Sequence, residues 1–558
     1  MASRLERYMA MFSQKASSTG ADTETKLIPP PIGGWDAISP LSAMDPKYAR
    51  ILTNWVPRPG WLELRGGYNA WAQGLSGGDP VESLMAYRPA GATDQLFAAA
   101  GGSIYNCSTN GVYTTVISGA SNARWQHVNF TPANGSNYLL LVNGEDPYIG
   151  WDGTTWAALP ISGVSSSTFI NITAFKRRLW FIPANSTTPY YLDTDAIQGT
   201  AHPFPLGSFM SKGGCVMAMG TWTIDGGVGP DDYAVFITSK GQAIVYKGTD
   251  PANANAFALV GVFDIPPPIG RRCLVKINSD LGIITTQGLI PASQALPFDP
   301  SSVRSIALTN QIQNAMVLAA QNGLDQFGWE VELYMLQTLM IMNVPQTENS
   351  SQVQYVMNML TGAWCEFQGW NANCFEIFNN NLFFGDNDGN VNLAYTSSLD
   401  LTSPIVAEMA CAFNYFDEPG RIKNLKMLRP LIIADGQVTP TLGVDVDFGT
   451  TALTSPVSII TPSGAVWDTS KWDNSTWSTG TVTVNQWLSV LALGTALSIK
   501  MQVNVAGSNV VIAQNSVFDT GVFDTMVFDG NGATASGQNL LKLQVNSFEG
   551  LMEYGSPI

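Results

Sequence analysis

LFFGDNDGNVNLAY, residues Leu382 to Tyr395, holds an apolar strand, an Asp-Asn-Asp-Gly-Asn turn and a second strand that ends on an aromatic residue. An apolar strand, a Gly-bearing turn and a second strand read as a β-hairpin, and a type I′ turn is the simplest expectation for the Asp-Gly step. The same unit recurs upstream. Copies begin near Leu96 (LFAAAGGSIYNC), Leu139 (LLLVNGEDPYIGW), Leu179 (LWFIPANSTTPYYL), Ala234 (AVFITSKGQAIVY), Ile283 (IITTQGLI) and Leu339 (LMIMNVP, then QYVMNM after an insertion). Successive starts lie roughly 40 to 56 residues apart, the period of propeller blades. A lone hairpin cannot bury both of its faces. Radial packing around an axis can, and it leaves only short edges. The expectation is an all-β chain: a β-propeller of six to eight blades, with an N-terminal arm and a C-terminal β-sandwich-like module. Leu139, Leu179, Phe181, Phe236, Ile284, Met340 and Phe383 should form blade interiors. Seven copies are countable, and the strand region at 55–68 is available to complete the last blade.

Outside the repeat the character changes. Residues 1–39 read as an arm with an extended Pro-rich connector, LIPPPIGG at 27–34. The arm carries an amphipathic turn (Leu5, Tyr8, Met9, Phe12) that suits docking on a neighbouring subunit. Residues 40–411 are assigned to the propeller. The spacing at 303–323, VRSIALTNQIQNAMVLAAQNG, predicts an inserted helix ended by Gly323. From 412 to 558, long Thr/Val-rich alternating strands suggest the sandwich-like module. Within it VWDTSKWDNSTW (466–477) and VFDTGVFDTMVFD (517–529) repeat aromatic-Asp at a spacing of five residues. They read as packing corners, with a sugar or subunit contact as the alternative.

The segment PLSAMDPKYARILTNWVPRPGWLELRGGY, Pro40 to Tyr68, precedes the repeat. Asp45 and Pro46 predict a helix start, with Tyr48, Ile51 and Leu52 on one face. Asn54, Pro57, Pro59 and Gly60 should end it. Trp61, Leu62 and Leu64 should form a strand before a turn at Gly66 and Gly67. Met44, Asp45, Pro46, Ala49, Leu52, Asn54, Trp55, Pro57, Arg65, Gly66, Gly67 and Tyr68 together resemble the opening of tail hub or nozzle proteins of short-tailed, podovirus-type bacteriophages. The resemblance covers about 30 residues. It implies a propeller subunit, six of which form a homohexameric ring around a DNA channel. It also implies contact with a head-to-tail adaptor protein and with tail fibre or tailspike proteins. The place of action would be the virion tail, assembled in the host bacterial cytoplasm. The structural motif within it is Asn54, Trp55, Pro57, Trp61, Arg65, Gly66, Gly67 and Tyr68. Trp55, Trp61 and Tyr68 should pack it, and Arg65 should make a charge-assisted contact.

Composition bounds the alternatives. The chain has 558 residues, 45% hydrophobic and 13% charged, with a net charge of −16. So low a charge density fits a chain whose surface is partly covered by partners. Tight nucleic-acid binding needs a basic face, so phage DNA should pass without sequence-specific binding. Asp264, Arg271 and Arg272, in the stiff loop DIPPPIGRR, and the acidic turn with Asp386 and Asp388 are candidate channel loops. Six scattered cysteines without a C-x-x-C pair read as reduced thiols, not a metal site. The N-terminus lacks the apolar core of a signal peptide, and no run is long enough for a membrane span.

Catalytic motifs are absent: no G-x-S-x-G, Walker loop or H-E-x-x-H occurs, and His127 and His202 stand far apart. GGVG at 226–229 reads as a loop. No catalytic residue, cofactor or metal is expected. The enzymatic rival is a propeller-type glycoside hydrolase, with a glycan-binding lectin beside it and a secreted non-viral scaffold as a third reading. DGTTW from Asp152 resembles the Asp-box of sialidases out of register. A hydrolase needs two carboxylates across one pocket, and Glu330, Glu332, Glu366, Glu376, Asp386 and Asp388 are the candidates. Asp386 to Asn390 also resembles a calcium loop, with its Gly one residue early and no closing Glu.

Overall fold

The computed structural model describes residues 23–225, 230–277, 279–295, 303–434, 439–451, 453, 482–505 and 542–557. The arm to residue 22, the 226–229 loop, and residues 454–481 and 506–541 of the expected sandwich-like module, with both aromatic-Asp repeats, lie outside the described residues.

Seven antiparallel sheets follow one another as propeller blades. In blade 1, Val81–Tyr87, Gln95–Ala100, Ser103–Thr109 and Val112–Ser118 pair in that order. Blades 2 (126–158), 3 (169–203) and 4 (216–264) repeat the four-strand pattern, and blade 5 (274–291) has three strands. Blade 6 runs from Glu330–Tyr334 to Trp364–Phe367. Blade 7 takes Ala372–Phe378, Asn381–Asp386 and Val391–Ser397, then borrows Gly67–Ala72 from upstream as its outer strand. The first strands of the blades stand side by side in a ring, closed between Ala372–Phe378 and Val81–Tyr87. This is the seven-bladed β-propeller, and the strand that completes it is Gly67–Ala72.

All seven hairpins expected from the sequence begin in the second strand of a blade. The reason is burial. A second strand has a neighbour on each edge and a blade on each face, so its central residues are apolar, as at Leu179–Ile182 and Leu382–Phe384. Phe383 packs into the layer between blades 7 and 1, and adjacent Phe384 into the layer on the other side. Leu139, Leu179, Phe181, Phe236, Ile284, Met340 and Phe383 are all buried.

The chain before the propeller pairs with the chain after it. One sheet orders Val482–Val484, Arg421–Ala434, Leu543–Pro557, Trp61–Leu64 and Trp55–Arg58, with Thr23–Ile28 also on Leu543–Pro557. A second sheet carries Tyr48–Thr53, Ser403–Cys411, Leu497–Val505 and Thr439–Val446. Leu52, Met409, Met501 and Leu442 from the second pack on Leu425, Ile432, Val545 and Phe548 from the first. This second sheet is also hydrogen-bonded into blade 6, where Thr53 pairs with Glu366. It reaches blade 7 through Leu399–Asp400, which pairs with Ser403–Cys411 and with Tyr68.

Four expectations need correction. Residues 48–52 form a strand, not a helix. Tyr48, Ile51 and Leu52 fit both periods, and pairing of Ala49 to Thr53 with Cys411 to Glu408 decides for the strand. Asp45 still caps, but it caps a turn: its carboxylate accepts the Lys47 N–H at 3.0 Å. Residues 40–64, grouped with the propeller by the sequence reading, pair with the strands beyond 402, and Thr23–Ile28 of the arm does the same. The Asp386 turn is not type I′. Only Gly389 has a positive φ (74°), which marks a type I turn with a glycine bulge. The inserted helix is broken into Val303–Ile306 and Gln313–Gly323, joined by a short 3-10 turn.

Candidate functional site

Two constellations carry the charged and aromatic side chains singled out in the sequence. The first is the joint between propeller and sandwich. Asn54 sits between two strands at φ 61°, a left-handed conformation that Asn tolerates. Its N–H donates to the Glu366 carbonyl at 2.7 Å and its side-chain amide to the Val406 carbonyl at 2.8 Å. Its Oδ1 accepts from Arg65 Nε at 2.8 Å and from the Gln368 N–H at 2.9 Å. Arg65 is buried and grips Asp400 with both terminal nitrogens, at 2.8 and 2.6 Å. The Gly66 and Gln368 carbonyls take its remaining hydrogens. All five donors are therefore used, the condition under which a buried arginine is tolerated. Its plane also lies against Trp370 and Phe367.

The neighbours explain themselves by contact. Trp55 is fully buried in the sandwich core. Pro57 lies on the outermost strand of its sheet, where no ladder donor is missed, and its carbonyl accepts from Asn358 at 2.7 Å. Half-buried Trp61 pairs with Arg58 across the hairpin. A Cβ on Gly67 would stand 2.0 Å from the Leu399 carbonyl oxygen, and one on Gly66 would strike Tyr395. Tyr68 meets Phe384 edge-on at 4.9 Å, and burial followed by the nearby Asp400 pushes its hydroxyl up to about 12. The motif is thus a joint, built to hold two bodies together.

The second constellation fills the propeller axis. Arg272 stands two residues before the first strand of blade 5. It reaches Glu330 of blade 6 at 2.9 Å, the Glu82 carbonyl and Ser83 hydroxyl of blade 1, and the Trp125 carbonyl leading into blade 2. Arg271 crosses to the Asn143 and Arg124 carbonyls of blade 2. Arg124 returns to Glu82 of blade 1 and Glu348 of blade 6. The guanidinium groups of Arg124, Arg271 and Arg272 all lie over the ring of Phe327, at 4.5 to 5.6 Å. Side chains that join blade 5 to blades 1 and 2 must pass through the middle of a seven-blade ring, so this mouth of the axis is occupied by protein. Burial, then the two neighbouring arginines, lowers Arg271 to about 10.

Three glutamates lie along the first strands of blades 6 and 7. Glu376 of blade 7 meets Arg88 at 2.5 Å and His127 Nε2 at 3.3 Å. Burial opposes its charge, but His127 and Arg88 outweigh it and hold the carboxyl below the ordinary range. Glu330 is raised by burial, partly offset by Arg272. Glu332 makes no ion pair among those of the described residues. Burial, then the charges of Glu376 and Glu330, pushes it up to about 8.

The candidate channel residues do not converge. Arg271 and Arg272 sit at the axis and Asp264 at the end of the outer strand of blade 4, 3.2 Å from Lys212. Asp386 is spent on its own turn: its carboxylate accepts from the Asp388 and Asn390 N–H groups and from the Asn390 and Asn392 side chains. Asp388 is exposed at the tip of that turn. Asp152 behaves alike, receiving the Thr154 and Thr155 N–H groups at 2.7 Å each, which holds it at about 2. Glu366 lies on the outer strand of blade 6, away from the three axial glutamates. His202 is on the outer strand of blade 3, so the two histidines stay apart. Sequence reading missed the Arg124–Phe327–Glu82 cluster. Its signal was present: charged residues recur at the head of first strands, as at Glu82, Arg124, Arg272 and Glu330. Among the described residues, no group of three His, Cys, Asp or Glu side chains could hold a metal ion, and no helix is long and apolar enough to cross a membrane.

No family model and no curated protein matches the sequence. Solved structures that are similar include the WD40 β-propeller domain of Doa1, at 9% identity and TM-score 0.37, covering 59% of this chain and 97% of that one. The extracellular domain of a one-component system protein from B. thetaiotaomicron shows 9% identity and TM-score 0.37, over 72% and 49% of the two chains. A glycoside hydrolase family 43 arabinoxylan arabinofuranohydrolase from Bacillus subtilis shows 10% identity and TM-score 0.24, over 94% and 99%.

Proposed function

We propose that this chain is a virion structural protein, the tail hub or nozzle of a short-tailed bacteriophage. Six copies form a ring, the ring conducts DNA during ejection, and its outer surfaces hold the adaptor and the fibres or spikes. The resemblance at residues 44–68 carries the reading. It is supported by the work those residues do. Asn54, Arg65, Gly66 and Gly67 serve a rigid joint between two bodies, as a load-transmitting part requires. Electron microscopy of the purified assembly tests it: a six-fold ring with a central hole is expected, and lone propeller particles would overturn it.

A second reading has one specific observation behind it. Burial raises the Glu332 carboxyl to about 8, while His127 and Arg88 lower that of Glu376, the kind of separation that acid and base roles in a glycoside hydrolase need. Release of sugar from bacterial surface glycans, abolished by Glu332→Gln and by Glu376→Gln separately, would favour it over the hub.

A further inference from the structure

The hairpin Trp55–Arg58 and Trp61–Leu64 of the sandwich meets blades 6 and 7, and a cavity of about 220 Å³ remains between them. Arg58 and Glu63 line it from the hairpin, Gln337 from the turn after the first strand of blade 6, and Ser398 from the exit of blade 7. Exposed Lys542 lines it from just before the strand Leu543–Pro557.

Tyr395 also lines it, in an unusual conformation. It sits at φ 58° within a bulge of Val391–Ser397, where the register slips between Ala394 and Ser397. A bulky residue in that left-handed region is strained, and bulges re-aim side chains. The ring packs against Trp370 and Tyr334, at 5.9 and 5.6 Å. The hydroxyl is buried without a hydrogen-bond partner among the described residues. Burial raises it and Arg58 opposes, with Arg65 and Glu63 also close enough to act. It is therefore a neutral donor on the charged side of the cavity, and leaving such a donor unpaired is costly.

The rest of the wall supplies more donors. Arg58 spends one hydrogen on Glu63 at 2.6 Å and one on Gln337 Oε1 at 3.0 Å. Two more go to the Gln337 carbonyl at 2.7 Å and the Thr338 hydroxyl at 3.4 Å. Its last Nη2 hydrogen, the Gln337 amide nitrogen and the Ser398 hydroxyl have no partner among the described residues. Three basic side chains, Arg58, Arg65 and Lys542, line this one cavity against a single acid, Glu63, in a molecule of net charge −16. Even with Asp400 counted behind Arg65, the local balance is positive.

We propose that this cavity binds a small oxyanion, a carboxylate or inorganic phosphate, between the sandwich and blades 6 and 7. Charge and hydrogen bonding select the class. A cation would meet Arg58 and Lys542. A neutral polyol needs acceptors as well as donors, and the one carboxylate here is already covered by Arg58. An oxyanion accepts from every open donor and gives Tyr395 its missing partner. The inference does not rest on the hub reading, since every lining residue belongs to one chain.

The test uses the full chain at fixed ionic strength, with inorganic phosphate and succinate as separate probes, followed by calorimetric titration and by the melting curve. One saturable site per chain and a raised melting temperature are expected for at least one probe. Phosphate alone assigns an inorganic ion, and succinate, with or without phosphate, an organic carboxylate. Tyr395→Phe keeps the ring and removes the hydroxyl, so it should melt no lower than wild type and bind the probe about tenfold or more weakly. If Tyr395→Phe melts lower, Ser398→Ala takes its place, with weaker binding at an unchanged melting temperature expected. Saturable binding of neither probe by about 10 mM, or equal binding by wild type and the deciding variant, overturns the inference and leaves the hub reading as it stands.

Discussion

At the scale of single residues, the chain spends its few charges on holding parts together. Arg65 and Asp400 illustrate this most fully. Removing one partner leaves the other buried and unpaired, so Arg65→Ala or Asp400→Asn should cost on the order of 3–5 kcal/mol. Arg65→Lys keeps the charge but loses the planar fork, so it should recover only part of that loss. Urea unfolding measures all three, and a cost below about 1 kcal/mol for Asp400→Asn would show that the joint does not depend on this pair. Glu332 is the opposite case, a carboxyl that the fold disfavours when charged. In the unfolded chain it ionises near 4.3, against about 8 when folded. Between those values the folded chain holds the extra proton, so this group's contribution falls as pH rises. Glu332→Gln should therefore match wild type near pH 4 and gain stability progressively toward pH 8, by on the order of 5 kcal/mol. A gap that shrinks with rising pH would contradict the placement of Glu332 among Glu330 and Glu376.

At the scale of elements, the second strands of the blades dominate. Phe383 is buried between blades 7 and 1, and Phe383→Ala should cost on the order of 3–5 kcal/mol in thermal or urea unfolding. These strands were also the legible part of the sequence, because two covered faces demand an unbroken apolar run. First strands were less legible: they carry Glu82, Glu330, Glu332 and Glu376, which face the axis and spoil the pattern. Outer strands were least legible, being as short as His202–Pro203 or coming from elsewhere, as Gly67–Ala72 does for blade 7. The strand at 48–53 was misread as helix because six residues are too few to separate the two periods. Its partners, Cys411 to Glu408, lie more than 350 residues away in sequence. Arg65 was readable as a pairing residue, whereas Asp400 was not, since only the fold brings them together. The axial cluster was hidden for the same reason. Removal of Gly67–Ala72 tests the role of the borrowed strand. Blade 7 should lose its outer edge and its hydrogen bonds toward the sandwich, giving an aggregating chain, and a soluble, cooperatively folded product would refute that role.

At the scale of the whole molecule, the axis and the net charge together restrict how DNA could be handled. Arg272, Arg271, Arg124 and Phe327 close one mouth of the propeller, and their hydrogen bonds tie blades 1, 2, 5 and 6 to one another. A duplex therefore has no path through the propeller itself, and in the proposed ring the conduit must run between copies. The arginines that looked suited to gripping phosphates are engaged: Arg272 with Glu330, Arg124 with Glu82 and Glu348, and Arg271 with two carbonyls. The surface left to face DNA belongs to a chain of net charge −16. Affinity for a duplex grows with each phosphate that a Lys or Arg neutralises, because each contact releases counterions. An acidic wall forgoes that gain and repels the backbone from every side, which keeps a moving duplex centred and unattached. The assembled protein should therefore show no binding to duplex DNA at micromolar concentration and physiological salt, by fluorescence anisotropy. Lowering the salt should weaken the encounter further, since unscreened repulsion reaches farther. Submicromolar, sequence-independent binding that falls steeply as salt is raised would sink the low-friction conduit and make the ring a clamp on DNA.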